Sequence, residues 1–159
     1  MSIKESNGTT YQSGSIYAGT FLYAMYLPNG TYTYTITTSE RTYMAVPSSG
    51  PVTVDGGYAT VSISWEKLYS VTIDQDSNIP VADYWYVSIT ASNGKIYNSG
   101  PIAEKPLTQN YYKFWLPNGT YSYKVYTYAT DPAGHHFSPA TGSFILNGSD
   151  ITITVSLYT

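Results

Sequence analysis

His135, His136 and ten carboxylates are the side chains of this chain best suited to acid–base or metal chemistry. Adjacent residues on a strand point to opposite faces, so the two histidines chelate one metal poorly. There is no cysteine, which excludes disulfides, thiolate catalysis and zinc–thiolate sites. A serine triad would need one of the histidines and a Gly-x-Ser-x-Gly elbow, and the elbow is missing from the sequence. Acid proteolysis needs two carboxylates sharing a proton, each usually in an Asp-Thr-Gly or Asp-Ser-Gly turn. Neither tripeptide occurs. Carboxylates such as Glu5, Asp55, Asp131 and Asp150 fall beside turns and strand ends, the ordinary place for solvated charge. Asp74-Gln-Asp76-Ser-Asn78 opens like a calcium loop, but Ile79 stands where the turn glycine belongs and Trp85 where the bidentate Glu belongs. An irregular calcium site drawing on Asp83 is the alternative to a solvated turn. The expectation is no enzyme, no metal and no cofactor.

What remains is surface chemistry. Asn7, Asn29, Asn118 and Asn147 each head an Asn-x-Ser/Thr sequon within an Asn-Gly turn, which makes them candidates for N-linked glycans. The plainer reading is that turn chemistry selects Asn-Gly and strand propensity supplies the Thr or Ser. Tyrosine occurs 19 times. An aromatic row on a strand packs a core or a subunit contact more often than it binds sugar. Tyr126 and Tyr128 alternate with Val125 and Thr127, so one aromatic row belongs on an outer face. That row, with Trp85 or Trp115, is the expected contact surface.

The elements that would position these groups are strands. Leu27-Pro-Asn-Gly-Thr-Tyr-Thr-Tyr34 returns as Leu116-Pro-Asn-Gly-Thr-Tyr-Ser-Tyr123, which marks a duplicated module. Ser6-Asn-Gly-Thr-Thr-Tyr-Gln-Ser-Gly14 returns at 92–100, and the Val46 to Gly56 stretch returns at 137–148. The offset grows from 86 through 89 to 92, so the copies differ by short loop insertions. Period-2 alternation dominates: Tyr32, Tyr34 and Ile36 against threonines; Ala59, Val61, Ile63 and Trp65; Ile151, Ile153, Val155 and Leu157. Asn-Gly and Asp-Gly pairs accept the positive φ of tight hairpins. The expected fold is all-β: two tandem antiparallel immunoglobulin-like β-sandwiches, residues 1–66 and 67–159. Strands at Tyr58 to Trp65 and Leu68 to Ile73, with only Glu66-Lys67 between them, predict a stiff junction.

The copies are unequal. The second opens with Leu68-Tyr-Ser-Val-Thr-Ile73, whereas the counterpart of that strand in the first copy would lie before Met1. Ile3 corresponds to Ile89. A sandwich short of an edge strand exposes apolar core and unpaired backbone. Three outcomes satisfy it: a strand added by a neighbouring subunit, a stretch preceding Met1, or closure of the first copy on itself. The donors in the first case are Leu68 to Ile73 (through Leu68, Val71 and Ile73), Ile151 to Tyr158, or residues outside this chain.

The series Tyr69 to Ile73, Ile79-Pro80, Tyr84 to Ile89, Phe114 to Tyr123, Ser138 to Gly142, Leu146-Asn-Gly148 and Ile151 to Val155 resembles the β-sandwich repeats of archaeal secreted and surface proteins. The modules that accompany thermopsin-type acid proteases are the nearest pattern. The usual Gly-Leu-Pro appears as Asn78-Ile79-Pro80, and no part of a protease catalytic domain is visible. The resemblance implies an extracellular or cell-surface, thermoacidophilic setting. It also implies likeness to surface filaments whose subunits are linked by donated strands. The expected function is a non-enzymatic structural subunit of an archaeal extracellular filament or surface layer, a homopolymer joined by strand addition. The alternative is a carbohydrate- or cell-surface-binding module of a larger secreted protein such as an acid protease.

Composition agrees with both. Only 11% of residues are charged, against roughly 25% in an ordinary soluble domain. The net charge of −3 gives no handle for nucleic acid. No apolar run approaches the ~18 residues of a membrane span, and Met1 to Ser6 lacks the apolar segment of a leader. With every carboxylate protonated, seven Lys and Arg plus two His are the only side-chain charges, so repulsion in acid stays modest.

Overall fold

The computed structural model describes residues 1–17, 22–76, 84–103, 110–127 and 134–158. Among these residues every regular element is a strand. The chain divides into two compact units, Met1–Lys67 and Leu68–Thr159.

Unit 1 holds β1 (Ser2–Glu5), β2 (Thr10–Gln12), β3 (Gly30–Thr35), β4 (Tyr43–Val46), β5 (Ser49–Val54) and β6 (Ser64–Lys67). Unit 2 holds β7 (Tyr69–Gln75), β8 (Tyr84–Ala91), β9 (Ile96–Asn98), β10 (Ile102–Ala103), β11 (Tyr111–Leu116), β12 (Gly119–Thr127), β13 (His136–Ser138), β14 (Thr141–Leu146) and β15 (Ile151–Tyr158).

Unit 2 is a full sandwich. One sheet runs β10-β8-β12-β14, with β9 also on β8; the other runs β11-β7-β15-β13. Its core takes Trp85, Val87, Ile89, Tyr121, Tyr123 and Leu146 from the first sheet and Val71, Ile73, Phe114, Leu116, Phe137, Val155 and Leu157 from the second. Alternation puts these residues on the inner faces and Ser, Thr and Lys outside. One ladder departs from the antiparallel expectation. β15 lies parallel to β7, with Ile151 opposite Val71 and Ile153 opposite Ile73. The strands enter that sheet from distant parts of the chain, so no hairpin imposes opposite direction.

Unit 1 repeats the first sheet as β2-β1-β3-β5 but only two strands of the second, β4-β6. The register is carried over. Ala45 faces Trp65 as Phe137 faces Leu157, and Tyr32 faces Val52 as Tyr121 faces Phe144. The core of unit 1 shrinks to Ile3, Tyr32 and Tyr34, with Met25, Leu27, Val52 and Val54 packed against them. The strand expected at Tyr58 to Trp65 forms only from Ser64; residues 58–63 enter no ladder.

The Leu-Pro-Asn-Gly-Thr-Tyr motif is a structural lock. The Tyr32 hydroxyl donates to the Pro28 carbonyl at 2.7 Å, and the Tyr121 hydroxyl to Pro117 at 2.8 Å. This is the tyrosine corner of immunoglobulin-like sandwiches. The ring folds back over the glycine: a Cβ on Gly30 would meet the Tyr32 ring at 3.2–3.3 Å, and one on Gly119 would meet Tyr121 at 3.3–3.4 Å. Positive φ therefore explains the Asn-Gly and Asp-Gly glycines at Gly8, Gly56, Gly94 and Gly148, but not Gly30 or Gly119. At those two the close tyrosine ring admits a Cβ only with a shift of a few tenths of an ångström, which favours glycine.

Tyr121→Phe deletes one hydrogen bond and strands the Pro117 carbonyl, so it should destabilise unit 2 by about 1–2 kcal/mol. Urea unfolding followed by fluorescence of Trp85 and Trp115 measures the loss.

Candidate functional site

The site is an open lane in unit 1, and unit 2 shows what such a lane contains. In unit 2, β7 is paired along both edges. It is antiparallel to β11, with Val71 opposite Phe114 and Ile73 opposite Tyr112, and parallel to β15. The repeat places residues 22–27 at the position of β11 and residues 59–63 at that of the first half of β15. Neither stretch enters a ladder among the described residues of unit 1.

Side-chain burial follows the backbone. Val61 and Ile63 are each 37% exposed and Trp65 is 55% exposed. Their counterparts Val155 and Leu157 are 0% and 2% exposed, and Ile153 is half-buried. On the other side of the lane Met25 and Leu27 touch the small core, whereas Leu22 and Tyr26 are open to solvent. Sequence reasoning named the deficit, and named Val61, Ile63 and Trp65 only as one face of an alternating strand, not as the lining of that deficit. The 89 and 92 offsets, applied to residues 111–116 and 151–157, were the signal that locates them.

The expected donors sit elsewhere. Val71 and Ile73 are fully buried in β7, and Leu68 is half-buried just before it. Ile151, Ile153, Val155 and Leu157 line β15, which is paired on both sides by β7 and β13. Both strands are interior to the second sheet of unit 2, so donating either would dismantle that sheet. Asp150 accepts from the Ser70 amide at 2.8 Å, and Asp76 from the Ser156 hydroxyl at 2.6 Å, tying β7 and β15 further. Ile3 is buried in the unit 1 core, opposite Tyr34.

The aromatic surface also differs from expectation. Trp85 is 2% exposed and packs on Phe137 at 5.8 Å; it is core, because it takes the inward parity of β8. Trp115 is half-buried on β11, with parity opposite to Phe114 and Leu116. Tyr126 does face outward, stacked on Tyr86 at 5.4 Å, with the Lys124 Nζ 5.6 Å from its ring centre. Tyr86, which sequence reasoning did not single out, is the cross-strand partner of Tyr126. Tyr128 lies outside the described residues.

Four exposed asparagines carry the sequons. The Asn29 Oδ1 accepts from the Gly56 amide and the Asn118 Oδ1 from the Gly148 amide, each at 2.9 Å. These bonds clamp the tyrosine corner to the turn after β5 in unit 1 and to the β14–β15 turn in unit 2. Asn7 Oδ1 accepts from Thr9 at 2.8 Å, and Asn147 sits at the β14–β15 tip. The three bonds use the amide oxygen and leave the nitrogen, the atom a glycan takes, out of the clamp.

Catalytic groupings do not assemble among the described residues. No three His, Asp or Glu side chains converge there. His136 stacks on Tyr158 at 5.9 Å. Asp83 and Asp131 lie outside the described residues, as do residues 77–80 of the calcium-like stretch. No helix among the described residues is long and apolar enough to cross a membrane.

No protein-family model matches the chain, and no curated protein matches it. Among solved structures it is similar to the Bacillus anthracis TIE protein, at 19% identity and a TM-score of 0.42, over 99% of this chain and 29% of that one. The chain therefore spans less than a third of that protein, and a likeness of this degree carries no functional argument.

Two expectations follow from the site. Val155→Asp places a charge in the unit 2 core and should cost about 4 kcal/mol or more, whereas Ile63→Asp in the isolated chain should cost under about 1 kcal/mol. Urea titrations of the two variants compare them.

The second concerns alkali. Burial raises the Tyr32 hydroxyl above its usual value, helped by the nearby Glu5 carboxylate and Tyr11, and burial also raises Tyr123. The folded state holds these protons past the unfolded value of about 10. Their stabilisation is complete below that pH and is lost as pH rises through the folded values. The urea midpoint should fall above pH ~10, less steeply in Tyr32→Phe, and these tyrosines contribute no loss in acid.

Proposed function

We propose that the chain is a non-enzymatic structural subunit of an extracellular filament or surface layer, of the archaeal kind its repeats resemble, assembled by β-strand complementation. The supporting observation is the open lane of unit 1, flanked by 22–27 and 59–63, where unit 2 holds β7. A donated strand would satisfy two rows of backbone groups and cover Val61, Ile63, Met25 and Leu27 in one step. Main-chain pairing supplies the affinity in such additions and alternate side chains supply the specificity. The pairing of β7 and β15 within unit 2 favours a donor other than these two strands. Low charge and abundant hydroxyl and amide groups suit an acidic exterior, since their hydrogen bonds do not titrate there. Glycans on the exposed sequons would decorate the turns without loosening the asparagine clamps.

The outward-facing pair of half-buried Tyr86 and exposed Tyr126, beside Lys124 and a face of Ser88, Thr90 and Ser122, favours a second reading, a carbohydrate- or cell-surface-binding module. One comparison separates the two. Under the first reading, negative-stain microscopy of the native material shows linear polymers and the Ile63→Asp variant stays monomeric. Native particles that remain monomeric and are retained on a glycan array would select the second.

A further inference from the structure

Resting on the strand-complementation reading, we infer the direction, register and side-chain size of the missing strand. The lane of unit 1 accepts an extended segment of another polypeptide, running parallel to 59–63 and antiparallel to 22–27, with a side chain bulkier than Val71 at the inward position between Ala59 and Met25.

Direction and register come from the duplication. Residues 49–67 match 141–159 without a gap, and residues 22–30 match 111–119 without a gap. The paired positions Ala45–Trp65 and Phe137–Leu157 confirm that alignment in three dimensions. In unit 2, Val71 sits between Ile151 and Phe114, and Ile73 between Ile153 and Tyr112. In unit 1 the donor residue at the Val71 position therefore lies between Ala59 and Met25. The one at the Ile73 position lies between Val61 and Tyr23. The outward position between them, that of Thr72, lies beside Thr60, as Thr72 lies beside Thr152.

Size comes from what lines the lane. Ala59 stands for Ile151, Val61 for Ile153 and Met25 for Phe114. Only toward the far end is the order reversed, with Ile63 for Val155 and Trp65 for Leu157. Sandwich cores fill to near-crystalline density, and a volume deficit on one strand is made up by its neighbours. A Val at the position between Ala59 and Met25 would leave a void. Phe, Leu or Ile would fill it, so the donor carries a large apolar residue there and polar residues on the alternate positions.

The test uses the full chain and an eight-residue peptide copying Leu68–Gln75. The chain has no cysteine, so introduced thiols report pairing without background. A V71F peptide should bind at least about tenfold more tightly than the unaltered sequence, from its additional buried apolar area. Under mild oxidation the T60C chain should cross-link to a T72C peptide, and the S62C chain to a D74C peptide. Tight binding with the pairs exchanged, T60C to D74C and S62C to T72C, would overturn the direction while strand complementation stands. Equal or tighter binding of the unaltered peptide would overturn the size argument alone. Failure of both peptides to bind would overturn the inference; strand complementation would fall with it only if native polymers also form with Ile63→Asp.

Discussion

A strand inside a sheet needs hydrogen-bond partners along both edges, and β7 is the element on which that constraint falls hardest. In unit 2 it joins β11, from the middle of the module, to β15 at its C-terminal end. Its Val71 and Ile73 are the fully buried side chains between them. Unit 1 contains the flanking segments without this keystone, and both lose their ladders together. Backbone groups left without partners are costly only when water is excluded. The flanks of the lane are consequently solvated, and their apolar side chains lie open.

The rest of the module does not depend on that strand. Each tyrosine corner is local, reaching four residues back to a proline carbonyl, and each asparagine clamp joins that corner to a turn 27 or 30 residues on, without involving that strand. Unit 1 thus keeps a four-stranded sheet with a small tyrosine-centred core while its second sheet is reduced to two strands. On the other face, segments 22–27 and 59–63 stay outside any ladder among the described residues. An exposed row of apolar residues beside such segments is the hazard that soluble proteins ordinarily suppress.

Much of the fold was legible because its signals are short-ranged. Alternation located β3, β12 and β15, and the returning octapeptide exposed the duplication. What could not be read was anything set by contact across the sandwich. Trp85 looked like a surface aromatic until its parity in β8 turned it inward. The parallel pairing of β15 with β7 depends on a ladder between segments some 80 residues apart. The glycines of the Asn-Gly pairs were assigned to positive φ, but Gly30 and Gly119 have ordinary φ and lie instead under a close tyrosine ring. The deficit in unit 1 was visible as an absence in an alignment. Its lining residues emerged only when the ladders of unit 2 supplied a template.

Amide hydrogen exchange along Thr60 to Ile63 and Thr152 to Val155 tests the central claim most directly, measured in the dissociated chain and in the native assembly. The account predicts fast exchange at 60–63 in the dissociated chain, strong protection there once assembled, and protection at 152–155 in both. Protection of 60–63 in the dissociated chain, or exchange unchanged by assembly, would contradict it.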